Sequence, residues 1–150
     1  MIQPKLVVIG GGSGSFTILQ ELKHWAANNI SAVVNMSDDG GSSGELTDEL
    51  GVLPPGDIRQ CLVALSNYPR SRDLFSYRFN EGKLDGHPVG NIILSALELQ
   101  YGSFTKAVKI VAEFLQISGQ VIPVSTRKHQ LCMLDGKQII KGESKLQIIV

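Results

Sequence analysis

The sequence lacks the features that would place it in a membrane or outside the cell. None of its apolar runs approaches the roughly 20 residues that a bilayer-spanning helix needs. The N-terminus also lacks the charged start and long apolar middle of a signal peptide. Cysteine is scarce: Cys61 and Cys132 are far apart, and each lies in an apolar pattern that favours a buried thiol over a disulfide or metal site. These absences predict a cytoplasmic protein without membrane association.

An excess of charge of one sign is missing as well. Lys and Arg together number 14, and Asp and Glu also number 14. Nucleic-acid-binding domains usually carry a clustered basic excess, so the balance predicts no nucleic-acid partner and restricts any anion site to a local one. With 43% hydrophobic residues in 150, the chain is suited to one domain with a real core, and we assign 1–150 to a single α/β domain.

The start of the chain has the pattern of a β–α–β unit. The run "KLVVI" (5–9) is continuously apolar, which is typical of a parallel strand buried on both faces. A helical period extends from Phe16 to Asn28, and "SAVVNM" (31–36) forms a second short strand. Such units pair parallel strands through a right-handed crossover. The pattern predicts a Rossmann-like three-layer fold with a mainly parallel sheet.

The later pattern predicts a long loop, several helices and a hairpin. Residues 37–56 are a loop with at most a helical turn at "TDEL". The four segments that follow with helical character begin at Asp57 (capped with Gln60), near Leu74, at Val89, and after a cap at Ser103. "QVIPV" is a strand, "QLCML-DG-KQIIK" is a C-terminal β-hairpin around an Asp-Gly turn, and the terminal "KLQIIV" is a candidate strand.

The Gly-rich turn "IGGGSGSF" (9–16) follows a strand and opens a helix, the context in which glycines bind phosphate through backbone N–H groups. The strict dinucleotide fingerprint fails, because Ser15 stands where its third glycine belongs. No Gly-Lys-Ser/Thr of a phosphate-loop NTPase occurs either. We favour phosphate binding here, with a tight turn that holds no ligand as the alternative.

The stretch "SDDGGSSGEL" (37–46) joins two carboxylates to a Gly/Ser loop. The loop suits an anion, whereas Asp38 and Asp39 would repel one. Both features fit one nucleotide ligand if the carboxylates bind sugar hydroxyls or a Mg²⁺ ion and the loop backbone binds phosphate. The alternative is an Asx-turn in a solvated loop.

Two further motifs carry polar residues at the starts of predicted helices. In "PPGDIR", Asp57 caps a helix and Arg59 pairs either with a phosphate or with a neighbouring carboxylate. In "GHPVGN", His87 and Asn91 are four residues apart, and Pro88 makes His87 a cap or a pre-helical residue. A solvated loop histidine is the alternative for His87.

Together these motifs resemble a known family. "GGGSGSF", "MSDDGGSSGEL", "LPPGDIRQCLVAL", "FSYRF" and "GHPVGNIIL" have the order and spacing of the YvcK-like gluconeogenesis factors, over residues 5–144. These belong to the superfamily of 2-phospho-L-lactate transferase (CofD). The resemblance implies a Rossmann-like fold and a UDP-sugar or NAD-like dinucleotide as ligand. It also implies a regulatory role in carbon metabolism, cell wall and cell shape in the bacterial cytoplasm.

The resemblance also implies ligand-binding residues. They are Gly11, Gly12, Ser13 and Gly14 in the first loop, Asp38, Asp39, Gly40, Gly41, Ser42, Ser43 and Gly44 in the second, and Asp57, Arg59, His87 and Asn91 in the other two motifs. Three positions depart from the family: Ser13 replaces Thr, Glu45 replaces Arg, and Pro88 replaces Ser. Family chains are about twice as long and carry another Gly-rich loop in their second half, so the resemblance implies half of a site here.

Three functions remain open at this point. The first is a nucleotide-sugar-binding regulator without turnover. The second is a Mg²⁺-dependent 2-phospho-L-lactate transferase-like enzyme with Asp38 and Asp39 as metal ligands and no recognisable nucleophile–base pair. The third is a non-binding truncated product. The expected partner is a small-molecule nucleotide, and a homo-oligomer stays open.

Overall fold

The computed structural model describes residues 4–26, 29–136 and 138–146. The strands are β1 (Leu6–Gly10), β2 (Ile30–Val34), β3 (Gln120–Pro123), β4 (Cys132–Asp135) and β5 (Gln138–Lys141). The helices are α1 (Gly12–Trp25), α2 (Gly41–Leu50), α3 (Gly56–Leu65), α4 (Pro69–Ser76), α5 (Val89–Tyr101), α6 (Phe104–Phe114) and α7 (Glu143–Leu146), with a 3₁₀ turn at Gly82–Leu84.

The central sheet is parallel, in the order β1–β2–β3. Its register pairs Val8 with Ala32 and Ala32 with Val121. Strands β4 and β5 form a separate antiparallel hairpin. The predicted α/β fold with a parallel sheet and a C-terminal hairpin is therefore confirmed.

Helices α1, α3 and α6 pack on one face of the sheet. The side chains that β2 turns to this face, Ile30, Ala32 and Val34, are at most 1% exposed. They join one hydrophobic core with Leu19 of α1 and Leu62 of α3. Within the part of the chain that the structure describes, the helices that contact the sheet cover only this face.

Helix α1 begins earlier than predicted, because the Gly-rich turn is itself the first helical turn. Gly11 is the N-cap and Gly12 the first helical residue, with φ of 64°. The positive φ at Gly12 is a conformation that a residue with a Cβ rarely adopts. The predicted start at Phe16 was late because glycine and serine weaken the helical pattern.

The predicted loop 37–56 is wrong over half its length, because residues 41–50 form helix α2. Gly40 is its N-cap, and Gly51 ends it in the left-handed conformation, with φ of 76°. The Gly/Ser composition has low helix propensity. Contacts from distant segments, described below, hold this helix instead.

The predicted capping box at Asp57 and Gln60 is also wrong. Pro55 is the N-cap of α3 and makes no side-chain cap bond, so Asp57 is the second residue of the helix. The predicted cap at Ser103 is confirmed, because its hydroxyl accepts a hydrogen bond from the Lys106 N–H. Pro69 is the first residue of α4.

The two cysteines differ from one another. Cys61 is a buried free thiol, as the sequence pattern predicted. Burial raises the pKa of this thiol to about 12. Cys132 is free and exposed on the hairpin, so the prediction that it is buried is wrong. The predicted terminal strand falls partly on helix α7, and its remainder (147–150) lies outside the described residues. Among the described helices, none is long and apolar enough to cross a bilayer.

Candidate functional site

The candidate site lies beyond the carboxyl ends of β1 and β2. These strands end side by side at Gly10 and Val34. In open parallel sheets this is where ligands usually bind. A cleft of about 330 Å³ opens here, lined by Gly11, Gly12, Asn35, Asp38, Asp57, Gln60 and Glu143.

Asp57 lies directly over the Gly-rich turn. The N–H of Gly12 donates a hydrogen bond to its carboxylate. A Cβ on Gly11 would overlap Asp57 Oδ2, so glycine is needed there for the close approach. Burial and then the charge of Asp38 raise the pKa of Asp57 to about 6. The start of α1, where we predicted phosphate, thus already holds a carboxylate next to its positive dipole end.

The adjacent carboxylates Asp38 and Asp39 point in different directions. Asp38 accepts a hydrogen bond from the Gly40 N–H at 3.1 Å and lines the cleft beside Asp57. Asp39 accepts one from the Ser144 N–H at 2.9 Å, and this bond holds the pKa of Asp39 below its ordinary value. The pair therefore joins the cleft to the C-terminal segment.

The first turn of α2 is held by a chain of side-chain hydrogen bonds that links three of the predicted motifs. Arg59 Nε lies 3.0 Å from Asn91 Oδ1, and Asn91 Nδ2 lies 3.1 Å from Ser42 Oγ. Ser42 Oγ is 2.9 Å from His87 Nδ1, and His87 Nε2 is 3.2 Å from Glu45 Oε2. We call these five residues the relay.

The donors and acceptors are fixed at the Arg59 end of the relay. A guanidinium can only donate, so the Asn91 oxygen faces Arg59 and its NH₂ group faces Ser42. Ser42 Oγ therefore accepts from Asn91 and forms its other hydrogen bond with His87 Nδ1, while His87 Nε2 lies against the Glu45 carboxylate. The chain of contacts runs from the Arg59 guanidinium to the Glu45 carboxylate.

Helix α3 approaches the second loop closely at Gly56. Its N–H donates to Ser43 Oγ at 3.1 Å, and a Cβ on Gly56 would overlap Ser43 Oγ and crowd Asp38. Gly44 is similar, because a Cβ there would overlap the Asp39 carbonyl oxygen. Gly56 thus lets the third motif pack closely on the second, whereas Gly44 allows a close backbone approach within the second motif.

Not every predicted site residue faces the cleft. Ser13 and Gly14 are exposed on the first turn of α1 and do not line it. His87 is pre-helical as predicted, but it is buried rather than solvated. Gly40 is the N-cap of α2, and its N–H already donates to Asp38, whereas Gly41 is the first helical residue. The first N–H groups of a helix have no partner within the helix and suit an anion.

The sequence reasoning missed several residues of the site. Asn35 directly precedes the second motif, and its polar character at the end of a strand could have identified it. Glu143 had no such signal, because it lies more than 100 positions after the second motif in the sequence. In the fold it lines the cleft and accepts a hydrogen bond from Ser37 Oγ at 3.3 Å. A second cleft of about 490 Å³ is also lined by Asp38 and includes Lys128.

Comparison with known proteins places this chain in a family. The family model described as "2-phospho-L-lactate transferase CofD" matches residues 6–148. The chain belongs to the CofD family. The Listeria innocua protein named "Gluconeogenesis factor" is 44% identical over 149 residues, which are 97% of this chain and 46% of that protein. A Thermoanaerobacterium thermosulfurigenes relative is 47% identical over 150 residues, which are 97% of this chain and 46% of that protein.

A solved structure supports the same assignment. The crystal structure of protein BH3568 from Bacillus halodurans superposes with a TM-score of 0.92 at 38% identity and covers 99% of this chain and 48% of that one. The predicted family and fold are therefore confirmed. This CofD-family chain spans about half the length of the relatives that it matches.

Proposed function

We propose that this CofD-family chain binds a nucleotide sugar, a UDP-sugar or a related dinucleotide, as a regulator of carbon metabolism, cell wall and cell shape. The observation that carries the proposal is the convergence of all four predicted motifs at one end of the sheet. Asp57 of "PPGDIR" accepts a hydrogen bond from the Gly-rich turn "IGGGSGSF". The relay joins "SDDGGSSGEL", "PPGDIR" and "GHPVGN".

The chemistry of the two sides of the site supports this ligand class. The cleft presents the carboxylates of Asp38, Asp57 and Glu143, which accept hydrogen bonds from ribose or sugar hydroxyls. The start of α2, at Gly41–Ser43, presents backbone N–H groups suited to phosphate. In this arrangement the sugar faces the cleft and the phosphates face α2.

Calorimetric titration of the chain with UDP-glucose, and separately with NAD, tests the proposal. We expect saturable heat with one of them, and at least about a tenfold loss of affinity in Asn91→Ala, which disconnects the relay. Gln100→Ala, on the exposed side of the same helix, is the matched control and should bind like the wild type. No heat at millimolar concentration of either ligand would refute nucleotide binding.

The description of the matching family favours a second candidate, a Mg²⁺-dependent transferase resembling 2-phospho-L-lactate transferase. Mg²⁺ is commonly held by one or two carboxylates together with substrate phosphates. Asp38 lines the cleft and fits that role. Asp39 could share the ion only if its hydrogen bond from the Ser144 N–H were broken. Among the described residues, no group of three or more His, Cys, Asp or Glu side chains is placed to hold a metal.

Turnover assays with a Mg²⁺ titration separate this candidate from the regulator. For a transferase, Asp38→Asn should lower turnover and raise the Mg²⁺ concentration needed for half-maximal rate. Equal rates and equal Mg²⁺ dependence in wild type and Asp38→Asn would exclude the metal role. A regulator binds the nucleotide and shows no turnover.

A further inference from the structure

Two arginines from different motifs lie at the start of helix α5. Arg59 of "PPGDIR" donates from Nε to Asn91 Oδ1 at 3.0 Å, and a Cβ on Gly90 would lie 2.8 Å from Arg59 Cδ, so glycine leaves room for this side chain. Arg78 of "FSYRF" belongs to a segment that runs antiparallel to the residues leading into α5, and its guanidinium donates to the Gly86 carbonyl oxygen. We call Arg59 and Arg78 the arginine pair.

The arginine pair has no anionic partner in the part of the chain that the structure describes, because neither guanidinium forms an ion pair with a carboxylate there. The nearby Glu45 carboxylate instead lies 3.2 Å from His87 Nε2. Burial first, and then the charge of Arg78, lower the pKa of Arg59 and outweigh the opposing charge of Asp57. Charges drawn out of water are normally paired, since an unpaired one is costly. Two like charges held together in this way indicate a site for an anion from outside the chain.

The arginine pair borders the start of α2. Asn91 bonds both Arg59 and Ser42, so a single side chain separates the Arg59 guanidinium from the first turn of α2. The first N–H groups of a helix suit phosphate, and a guanidinium matches phosphate oxygens with two N–H groups at a time. The phosphate side of the proposed site therefore continues from backbone N–H groups onto two fixed cations.

We infer that the arginine pair binds the diphosphate of the nucleotide sugar, with Arg78 as a binding residue from a motif that had no assigned role. The inference rests on the proposed function for the identity of the ligand, whereas the need for an anion follows from the arginine pair itself. Neutralising the repulsion between Arg59 and Arg78 makes binding selective for a phosphorylated ligand over the bare nucleoside.

Calorimetric titration with UDP-glucose of the wild type and of Arg78 variants tests the inference. We expect Arg78→Gln to bind at least about tenfold more weakly, because one charge-assisted contact to phosphate is lost. Arg78→Lys should bind with intermediate affinity, since it keeps the charge but not the forked geometry. Arg70→Gln, at an exposed position on α4, is the matched control and should bind like the wild type.

Thermal unfolding separates binding from a structural role of Arg78. Arg78 and Arg70 are both exposed, so the melting temperatures of Arg78→Gln, Arg70→Gln and the wild type should agree without ligand. Saturating UDP-glucose should raise the melting temperature of the wild type and Arg70→Gln more than that of Arg78→Gln. A purely structural role would lower the melting temperature of Arg78→Gln without ligand and leave its affinity unchanged, which would overturn the inference.

Inorganic pyrophosphate distinguishes a failure of this inference from a failure of the proposed function. If wild type and Arg78→Gln have equal affinities for UDP-glucose, the inference is overturned and nucleotide-sugar binding stands. If pyrophosphate binds, Arg78→Gln weakens it, and neither UDP-glucose nor NAD gives heat, the anion site stands and nucleotide binding is refuted. No heat with any of the three ligands at millimolar concentration would overturn both.

Discussion

At the scale of single residues, the glycines of the first turn have different physical roles. Gly11 allows Asp57 to approach the backbone, whereas the space around the Cβ position of Gly14 is open. Both occur in one short run of the sequence, and the pattern alone gave them equal weight as phosphate ligands. The difference comes from a carboxylate that lies more than forty positions later in the chain.

Alanine substitution separates these two roles. Gly11→Ala should lower the free energy of unfolding by about 1–3 kcal/mol, because its Cβ overlaps the carboxylate of Asp57. Gly14→Ala, three residues further along and inside the helix, should raise it by about 0.5–1 kcal/mol through reduced backbone entropy of the unfolded chain. Urea unfolding measures both. Equal effects at the two positions would contradict the described contact.

Asp57 gives the chain a specific pH dependence. Its pKa of about 6 in the fold exceeds the ordinary value near 3.9 in an unfolded chain. The folded state therefore binds more protons between these values, so the stability that protonated Asp57 contributes is present at low pH and is lost as the pH rises through about 6. Asp57→Asn should remove this dependence in urea unfolding between pH 4 and pH 7. A carboxyl titration of Asp57 by NMR with a midpoint near 4 would refute it.

At the scale of elements, helix α2 shows the limit of local propensity. Its sequence "GSSGELTDEL" predicted a loop, because glycine and serine are poor helix formers. The helix forms because Ser42, Ser43 and Glu45 bond to groups on other elements. The strongly periodic helices α5 and α6 were predicted correctly, since their apolar faces appear in the sequence itself.

The relay should contribute strongly to the stability of this region. Asn91 is 2% exposed and bonds both Arg59 and Ser42, so Asn91→Ala leaves buried polar groups without partners. We expect a loss of about 1–3 kcal/mol in the free energy of unfolding. Gln100→Ala on the exposed side of α5 should change it by less than about 0.5 kcal/mol. Comparable effects at both positions would show that the relay is not a stabilising unit.

At the scale of the whole molecule, the β–α–β start, the parallel sheet and the hairpin could be predicted, because each depends on local patterns. The joining of the C-terminal segment to the second loop could not. Asp39 bonds Ser144 across 105 positions, and no feature of either segment specifies the other. The same holds for Glu143, which completes the acidic lining of the cleft.

We propose that the separate motifs form one nucleotide-sugar site. An NMR titration of the ¹⁵N-labelled chain with UDP-glucose tests this, with uridine, which lacks the diphosphate and the glucose, as the comparison ligand. We expect the amide signals of Gly12, Ser42 and Ser43 to shift together with UDP-glucose along one binding curve and to respond weakly to uridine. Unchanged signals at millimolar UDP-glucose, or shifts confined to one motif, would show that the motifs do not form one nucleotide-sugar site.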